Sequence, residues 1–273
     1  MSEGNGNRIQ HLDTAPRESL FLPLWMEGYS RTQPRSRRML AVSILLAHEL
    51  GHFFACRYYG ISASYPYFIP FPSIFGTMGA FIRIRSPIVN RKALFDVGIA
   101  GPVVGFLFAV PALVLAIGYS KIVPGANASA DAAFGVPLLM NGLTRLLHPG
   151  IRPDSLLLNP VGRAAWVGLF VTGLNLIPIG QLDGGHILFS LTSENHRRLS
   201  FLAVLILLPL GYFFWNGWYV WAALSLLIGF RHPVLLDRWE PIDAKRRVWA
   251  AVALVIFLLC FMPAPIIVRG TGS

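Results

Sequence analysis

Apolar segments about as long as a bilayer is thick recur along the chain. The first is Met39 to Tyr59, whose 21 residues would form a helix of about 30 Å, the thickness of the hydrocarbon core of a bilayer. Only 13% of the residues are charged, against about a quarter in an ordinary soluble domain. Further apolar segments follow at 95–119, 161–182, 199–214, 217–230 and 247–264. The sequence therefore predicts an all-α polytopic membrane protein with about six transmembrane helices.

The residues between the first two apolar segments follow a different pattern. From Gly60 to Asn90 the chain is rich in aromatic residues, prolines and β-branched residues, and Ala80, Ile82 and Ile84 alternate with other side chains. Such alternation predicts a loop and then a short strand or β-hairpin. We expect this small β element to be associated with the membrane, because apolar segments flank it on both sides.

The basic residues of the chain indicate a membrane orientation. The formal net charge is +10, but the basic residues cluster beside apolar segments, as at Arg35 to Arg38 and at Lys245 to Arg247. Such flanks are typical of membrane topology, so we expect the lipid bilayer and no nucleic acid as a partner. Lys and Arg residues are more numerous on one side of six spans, and this predicts that side to be cytoplasmic, with both termini outside. The first 20 residues lack the pattern of a removable signal peptide.

A possible metal site lies inside the first apolar segment, in the run LLAHELGHFFACRYYG. His48, Glu49 and His52 form the pattern HExxH. Positions i and i+4 share one face of a helix, so both imidazoles can bind the same Zn²⁺ while Glu49 reaches a water at the metal. The alternative is a chance match. Three ionisable groups inside a membrane span are costly unless a partner offsets them, and this favours a metal.

A catalytic zinc usually has three protein ligands, so a third has to come from elsewhere in the chain. Acidic residues within or at the ends of the apolar segments are few: Glu49, Asp96 and Asp183. We favour Asp183, because the two glycines after it let a metal or other backbone come close, and an intramembrane ionisable group marks function by default. The alternative is a carboxylate that only ends a helix. Asp96 is expected to cap its own helix or to pair with Arg91 or Lys92.

Two further polar residues flank the third apolar segment. Asn175 precedes Pro178 by three residues on nearly the same helix face, and its amide can hold a substrate carbonyl or the oxyanion formed during hydrolysis. Alternatively, the amide satisfies the carbonyl that Pro178 leaves without a donor. His186 can be a further ligand or a neighbour of the ligands, but it follows the diglycine, and we favour a structural role.

Together these motifs resemble a known family. HELGH in the first span, NLIPIGQLDGG in the third and GIAGPVVG between them are similar to the site-2 protease family of intramembrane zinc metalloproteases. The similarity runs from about Met39 to Leu188. The stretch PYFIPFPSIFGTMGAFIRIRSPIVNRKALFDVGIAGP also resembles the bacterial and chloroplast members of this family that lack appended domains. HExxH with NxxPxxxLDGG in a later span is a highly specific combination.

The resemblance implies roles for five residues. His48, His52 and Asp183 would be the ligands of one zinc ion per chain. Glu49 would be the catalytic base, and Asn175 would help to position the substrate. The resemblance also implies a bacterial inner membrane and a site near its cytoplasmic face, and no regulation by PDZ or CBS domains is expected. Three regions follow: a polar N-terminal tail at 1–38, a catalytic transmembrane core with both motifs at 39–188, and C-terminal transmembrane helices at 189–273.

The predicted function is hydrolysis of peptide bonds in or near transmembrane segments of membrane-protein substrates. A transmembrane helix hides its peptide groups, so the substrate has to unwind, and the segment Gly76 to Arg85 can capture the extended chain by strand addition. Two alternatives remain. A membrane metal carrier or transporter could use the same ligands without a base at Glu49. A non-cleaving homologue would bind membrane helices, but its expected mark, a lost ligand or base, is absent from the motifs.

Overall fold

Helices form at each of the six apolar segments. The computed structural model describes residues 35–70, 77–88, 90–123, 132–229 and 241–268. In this part of the chain the helices are α1 (Arg35–Tyr58), α2 (Arg91–Gly118), α3 (Leu138–Leu147), α4 (Pro160–Asn175), α5 (Asp183–Leu191), α6 (His196–Phe213), α7 (Gly217–Ile228) and α8 (Ala244–Cys260). The prediction of a mostly helical chain with a small β element is confirmed.

The central helix of the packing is α2. It contacts α1, α4, α5 and α8, while α6 packs mainly against α7. Phe95, Leu113 and Ile117 of α2 and Leu169 of α4 are fully or almost fully buried in one cluster. The glycines and alanines of α2 keep its neighbours close, since small side chains at helix contacts let backbones approach in a membrane. The helices that carry the two sequence motifs therefore meet around α2.

The β element is an antiparallel hairpin directly after α1. Strand β1 (Tyr67–Pro70) pairs with β2 (Thr77–Phe81), with Tyr67 opposite Phe81. Ala63 forms an isolated bridge with Ile84, which lengthens the hairpin toward its open end. The hairpin predicted from the alternation at 80–84 is therefore present, and Gly76 lies outside the described residues. Strand β2 also contacts α1, so the hairpin lies beside the helix that carries HExxH.

The loop between α2 and α4 contains regular structure that the sequence did not predict. Helix α3 buries Met140 and Thr144. Strand β3 (Lys121–Ile122) pairs with β5 (Leu156–Leu157), and β4 (Ala132–Phe134) pairs with β6 (Ile266–Val268) near the end of the chain. These strands are two or three residues long, and their partners are distant in sequence. They are therefore too short to show the alternation of apolar and polar residues that predicts a strand.

Asp96 pairs with Arg246, a residue that the sequence did not indicate as its partner. Asn90 caps α2 instead, because its side chain accepts the backbone N–H of Ala93 at 2.8 Å. The carboxylate of Asp96 accepts two hydrogen bonds from Arg246, which lies in the first turn of α8. The donor atoms are Nε at 2.9 Å and Nη2 at 2.5 Å. The hydroxyl of Tyr59 joins this group by donating to Asp96. The Arg246 group therefore ties the end of α1 and the starts of α2 and α8 together.

Arg91 is likewise engaged elsewhere. Its guanidinium donates to the carbonyl oxygens of Ser190 and Leu191 at the end of α5, at 2.5 to 3.1 Å. A cation at a helix C-terminus satisfies the last carbonyls and interacts favourably with the helix dipole. Arg91 thus anchors the far end of the helix that begins with Asp183.

Two helices of the described chain are long and apolar enough to cross a bilayer by themselves. These are α2, with 28 residues, and α6, with 18 residues. Helix α7 is apolar but shorter, and α1 carries the charged and polar side chains of HExxH. The number of membrane crossings therefore stays a prediction.

Candidate metal centre

Helix α1 presents the HExxH residues to the interior of the helix packing. His48 and His52 are 3% and 7% exposed, and their rings lie 5.0 Å apart between centroids. One ligand atom from each of His48, Glu49 and His52 lies within 4.8 Å of the other two. The i, i+4 spacing therefore produces the shared face that the sequence predicted.

The carboxylate of Asp183 lies next to the imidazoles of His48 and His52. Asp183 is the first residue of α5, and its Oδ2 atom lies 3.1 Å from Nε2 of His48 and 3.3 Å from Nε2 of His52. The two glycines that follow allow this approach. A Cβ atom at Gly184 would overlap the carbonyl oxygen of Leu176, and one at Gly185 would overlap that of Gly180. The diglycine therefore lets the first turn of α5 rest directly on the preceding backbone.

Hydrogen bonds to neighbouring groups orient several side chains of the site. Nδ1–H of His52 donates to the carbonyl of Val97 at 2.7 Å. In the neutral ring Nε2 then carries no proton, and its lone pair can bind a metal. The amide Nδ2 of Asn175 lies 3.1 Å from Nε2 of His48. The backbone N–H of Ile82, next to β2, donates to Oε2 of Glu49 at 3.1 Å. The two carboxylates thus differ: that of Asp183 faces the imidazoles, and that of Glu49 is held by the hairpin.

The donor set fits a zinc ion. In a tetrahedral site with bonds of about 2.0–2.1 Å, neighbouring donor atoms lie about 3.3 Å apart, and the observed separations are 3.1 and 3.3 Å. Within the described chain, Nδ1 of His48 is buried without a hydrogen-bond partner, so Nε2 carries the polar contacts of that ring. Two imidazole Nε2 atoms at these distances from one carboxylate oxygen need a proton or a cation between them. His48, His52 and Asp183 can supply the three protein ligands usual for catalytic zinc.

Asn175 does not serve the alternative role that the sequence left open. The carbonyl of Leu174, four residues before Pro178, accepts the backbone N–H of Ile177 at 3.1 Å. The freed carbonyl is therefore satisfied within the turn, and the Asn175 amide faces His48 instead. His186 lies on α5 with its Cβ against α2, since a Cβ atom at Gly98 would be 2.9 Å from it.

The glycine motif GIAGPVVG has a physical role that sequence reasoning missed. A Cβ atom at Gly101 of α2 would overlap Nε2 of His52, and one at Gly105 would lie 3.0 Å from Nδ1 of His48. The glycines at positions 101 and 105 repeat at i, i+4 and match the i, i+4 spacing of the two histidines. That shared spacing was the signal available in the sequence for placing α2 against the HExxH face of α1.

The region that holds the candidate metal ligands also matches the model of a known protein family. Residues 39–215 match the model of peptidase family M50, and this range is more than half of the chain. The chain belongs to peptidase family M50. This membership confirms the resemblance to the site-2 protease family that the motifs indicated. Both HExxH and Asp183 fall inside the matched M50 range.

Curated chloroplast proteins are also similar to the chain. "Probable zinc metalloprotease EGY2, chloroplastic" of Arabidopsis thaliana is 30% identical over 240 residues, which are 86% of this chain and 43% of that protein. The protein of the same name from Oryza sativa subsp. japonica is 31% identical over 236 residues, 83% of this chain and 42% of its own length. "Probable zinc metalloprotease EGY1, chloroplastic" of Arabidopsis thaliana is 28% identical over 229 residues, 81% of this chain and 41% of that protein. The chain thus spans less than half the length of these relatives.

Proposed function

We propose that this M50 protein is an intramembrane zinc endopeptidase that hydrolyses peptide bonds in or near transmembrane segments of membrane proteins. The observation that carries the proposal is one oxygen of Asp183 at 3.1 and 3.3 Å from the Nε2 atoms of His48 and His52, with the carboxylate of Glu49 beside them. The names of the chloroplast relatives, which include the words zinc metalloprotease, point to the same chemistry.

In this proposal His48, His52 and Asp183 hold one zinc ion per chain. When bound there, zinc supplies a Lewis acid that makes a water nucleophilic near neutral pH and polarises a peptide carbonyl. The ring of His52 is kept in the required tautomer by the carbonyl of Val97. Such hydrogen bonds to ligand imidazoles orient them and raise their basicity.

Glu49 acts as the general base and then as the general acid. Its carboxylate takes a proton from the attacking water and passes it to the amine that leaves when the peptide bond breaks. The N–H of Ile82 holds Oε2 at 3.1 Å, which fixes the orientation of the Glu49 carboxylate. The hairpin therefore orients the base in addition to its proposed part in substrate binding.

Asn175 is proposed to position the substrate. Its amide nitrogen lies 3.1 Å from Nε2 of His48, at the edge of the ligand group. In the proposal the amide N–H groups donate to a substrate carbonyl beside the ligand group. An amide donor there stabilises the negative charge that develops on the carbonyl oxygen during hydrolysis.

The hairpin is proposed to receive the unwound substrate by strand addition along β2, within Gly76 to Arg85. Strand β2 pairs with β1 on one edge, and just past its end Ile82 turns its N–H toward Glu49 instead of toward β1. Among the described residues no strand pairs with the edge of β2 that faces away from β1, and Glu49 lies on the side of that edge. A peptide paired with that edge would run past the base, which supports an extended substrate.

The proposed membrane arrangement has about six crossings with both termini outside. The richer Lys and Arg flanks then lie in the cytoplasm, and the metal site opens toward the cytoplasmic side of a bacterial inner membrane. The division into a tail at 1–38, a catalytic core at 39–188 and C-terminal helices at 189–273 belongs to the same proposal. Residues 1–34 of this tail lie outside the described residues, and residues 35–38 belong to α1.

Cleavage of a helix-destabilised transmembrane peptide by the purified protein tests the function. Wild type, Glu49→Gln and Glu194→Gln are compared, because Glu194 is an exposed glutamate outside the site and gives the same substitution as a control. We expect wild type and Glu194→Gln to cut, Glu49→Gln to lose at least about a hundredfold in rate, and all three to hold zinc. Zinc without cleavage of any of several peptides by wild type would favour the metal-carrier or non-cleaving alternative.

A further inference from the structure

A buried hydroxyl of α6 holds the turn that leads to Asp183. Ser200 is fully buried, and its Oγ donates to the carbonyl of Pro178 at 3.2 Å. The same oxygen accepts the N–H of Gly180 at 3.4 Å and lies 3.3 Å from Nε2 of His196. A hydroxyl has one proton and two lone pairs, so these three neighbours use its whole capacity when Nε2 of His196 carries a proton.

The turn held in this way supports the metal ligand directly. Gly180 has a φ of +51°, in the left-handed region that favours glycine. A Cβ atom at Gly185 would lie 2.7 Å from the carbonyl oxygen of Ile179, so the first turn of α5 is in backbone contact with the turn at 176–180. Asp183 belongs to that first turn. Any shift of the turn therefore moves the Asp183 carboxylate relative to the histidines of α1.

We propose that Ser200, supported by His196, is a positioning residue for Asp183. It touches neither substrate nor metal, and it acts by holding the backbone of Pro178 and Gly180 in place. The inference rests on the proposed function, because it assigns a purpose to Asp183 as ligand. It also gives α6 a role, although this helix follows the LDGG motif and carries no recognised motif of its own.

The chemistry explains why a side chain from another helix is needed. The helical ladder of α4 ends before Pro178, and the backbone resumes as helix only at Asp183. Polar backbone groups between the two helices need partners in a buried setting. Ser200 serves two of them with one atom. Metal sites lose about 10–100-fold in metal affinity or activity when such supporting hydrogen bonds are removed.

Zinc affinity of purified variants tests the proposal. Ser200→Ala deletes the hydroxyl, and Ser190→Ala is the matched control, because Ser190 is equally buried but its hydroxyl donates to His186 of its own helix at 2.8 Å. Competition with a chelator of known affinity should show zinc bound about 10–100-fold more weakly by Ser200→Ala. Ser190→Ala should stay close to wild type. Peptide cleavage by Ser200→Ala should recover as the zinc concentration is raised.

A second variant covers the case in which Ser200→Ala does not fold. His196→Phe removes the ring nitrogen at Ser200 while keeping an aromatic ring against Phe189, and it should weaken zinc binding in the same direction but less. Zinc affinities of Ser200→Ala and His196→Phe that equal that of Ser190→Ala would overturn the proposal. Failure of the proposed function would be seen separately, as zinc binding without cleavage by the wild-type protein.

Discussion

Gly101 occupies a position of α2 where a larger residue would displace a proposed zinc ligand. A Cβ atom there would overlap Nε2 of His52, the atom that faces Asp183. His52 cannot easily yield, because its other nitrogen is bonded to the carbonyl of Val97. A single methyl group at this position would therefore displace the imidazole of His52. It would not destabilise the helix itself, since alanine is a better helix former than glycine.

Gly101→Ala is accordingly predicted to lower the zinc content of the purified protein about tenfold or more, as loss of ligand geometry does. Gly118→Ala is the control, because Gly118 lies in the same helix and a Cβ atom there meets nothing within 4 Å. It should keep zinc and gain slightly in stability. Elemental analysis of both proteins decides the matter, and normal zinc content in Gly101→Ala would show that the ligand group lies elsewhere.

At the scale of elements, Arg246 links the start of α8 to Asp96 of α2 and to Tyr59 at the end of α1. Arg246 and Asp96 have side chains that are 16% and 30% exposed. Arg246 also donates to Asp243, the N-cap of α8, at 2.5 Å. The backbone N–H of Arg246 lowers the pKa of Asp243 by hydrogen bonding to its carboxylate, which favours the ionised form of this cap.

Breaking the Arg246–Asp96 pair should destabilise the helix packing. In a double-mutant cycle of Arg246→Ala and Asp96→Ala, we expect a coupling free energy of about 1–3 kcal/mol in the free energy of unfolding, measured in mixed micelles. Each single variant leaves a partly buried charge without its partner, and the double variant does not.

The exposed pair Arg152 and Asp154 provides the control for that cycle. Its side chains are 81% and 48% exposed at an N–O distance of 3.1 Å, and such pairs contribute less than about 1 kcal/mol. Equal coupling energies for the two pairs would mean that the Arg246 group does not link the helices.

Across the whole molecule, patterns local in sequence were predictable and contacts between distant segments were not. Apolar runs predict helices because backbone in a bilayer has to satisfy its own hydrogen bonds, and a helix lies at each of the six runs. The pairing of His48 with His52 follows from helical spacing. The contacts of Ile82 with Glu49 and of Arg246 with Asp96 join residues 33 and 150 positions apart without any spacing signal.

The candidate site itself combines residues from α1, α4 and α5 with the hairpin, around the glycine face of α2. The motifs predicted which residue types meet, since ionisable groups inside spans need partners. They did not predict that α5 is a separate helix starting at Asp183 or that the hairpin reaches Glu49. Both features depend on close backbone packing at glycines, which the sequence marks only as breaks.

The central claim is that the two carboxylates have different roles: Asp183 is a zinc ligand, and Glu49 is the general base and acid. Zinc per chain, measured by elemental mass spectrometry in wild type, Glu49→Gln and Asp183→Ala purified side by side, tests it most directly. The account predicts one zinc ion per chain in wild type and in Glu49→Gln, and a loss of about tenfold or more in Asp183→Ala. Zinc retained by Asp183→Ala and lost by Glu49→Gln would contradict it, because Glu49 would then be the ligand.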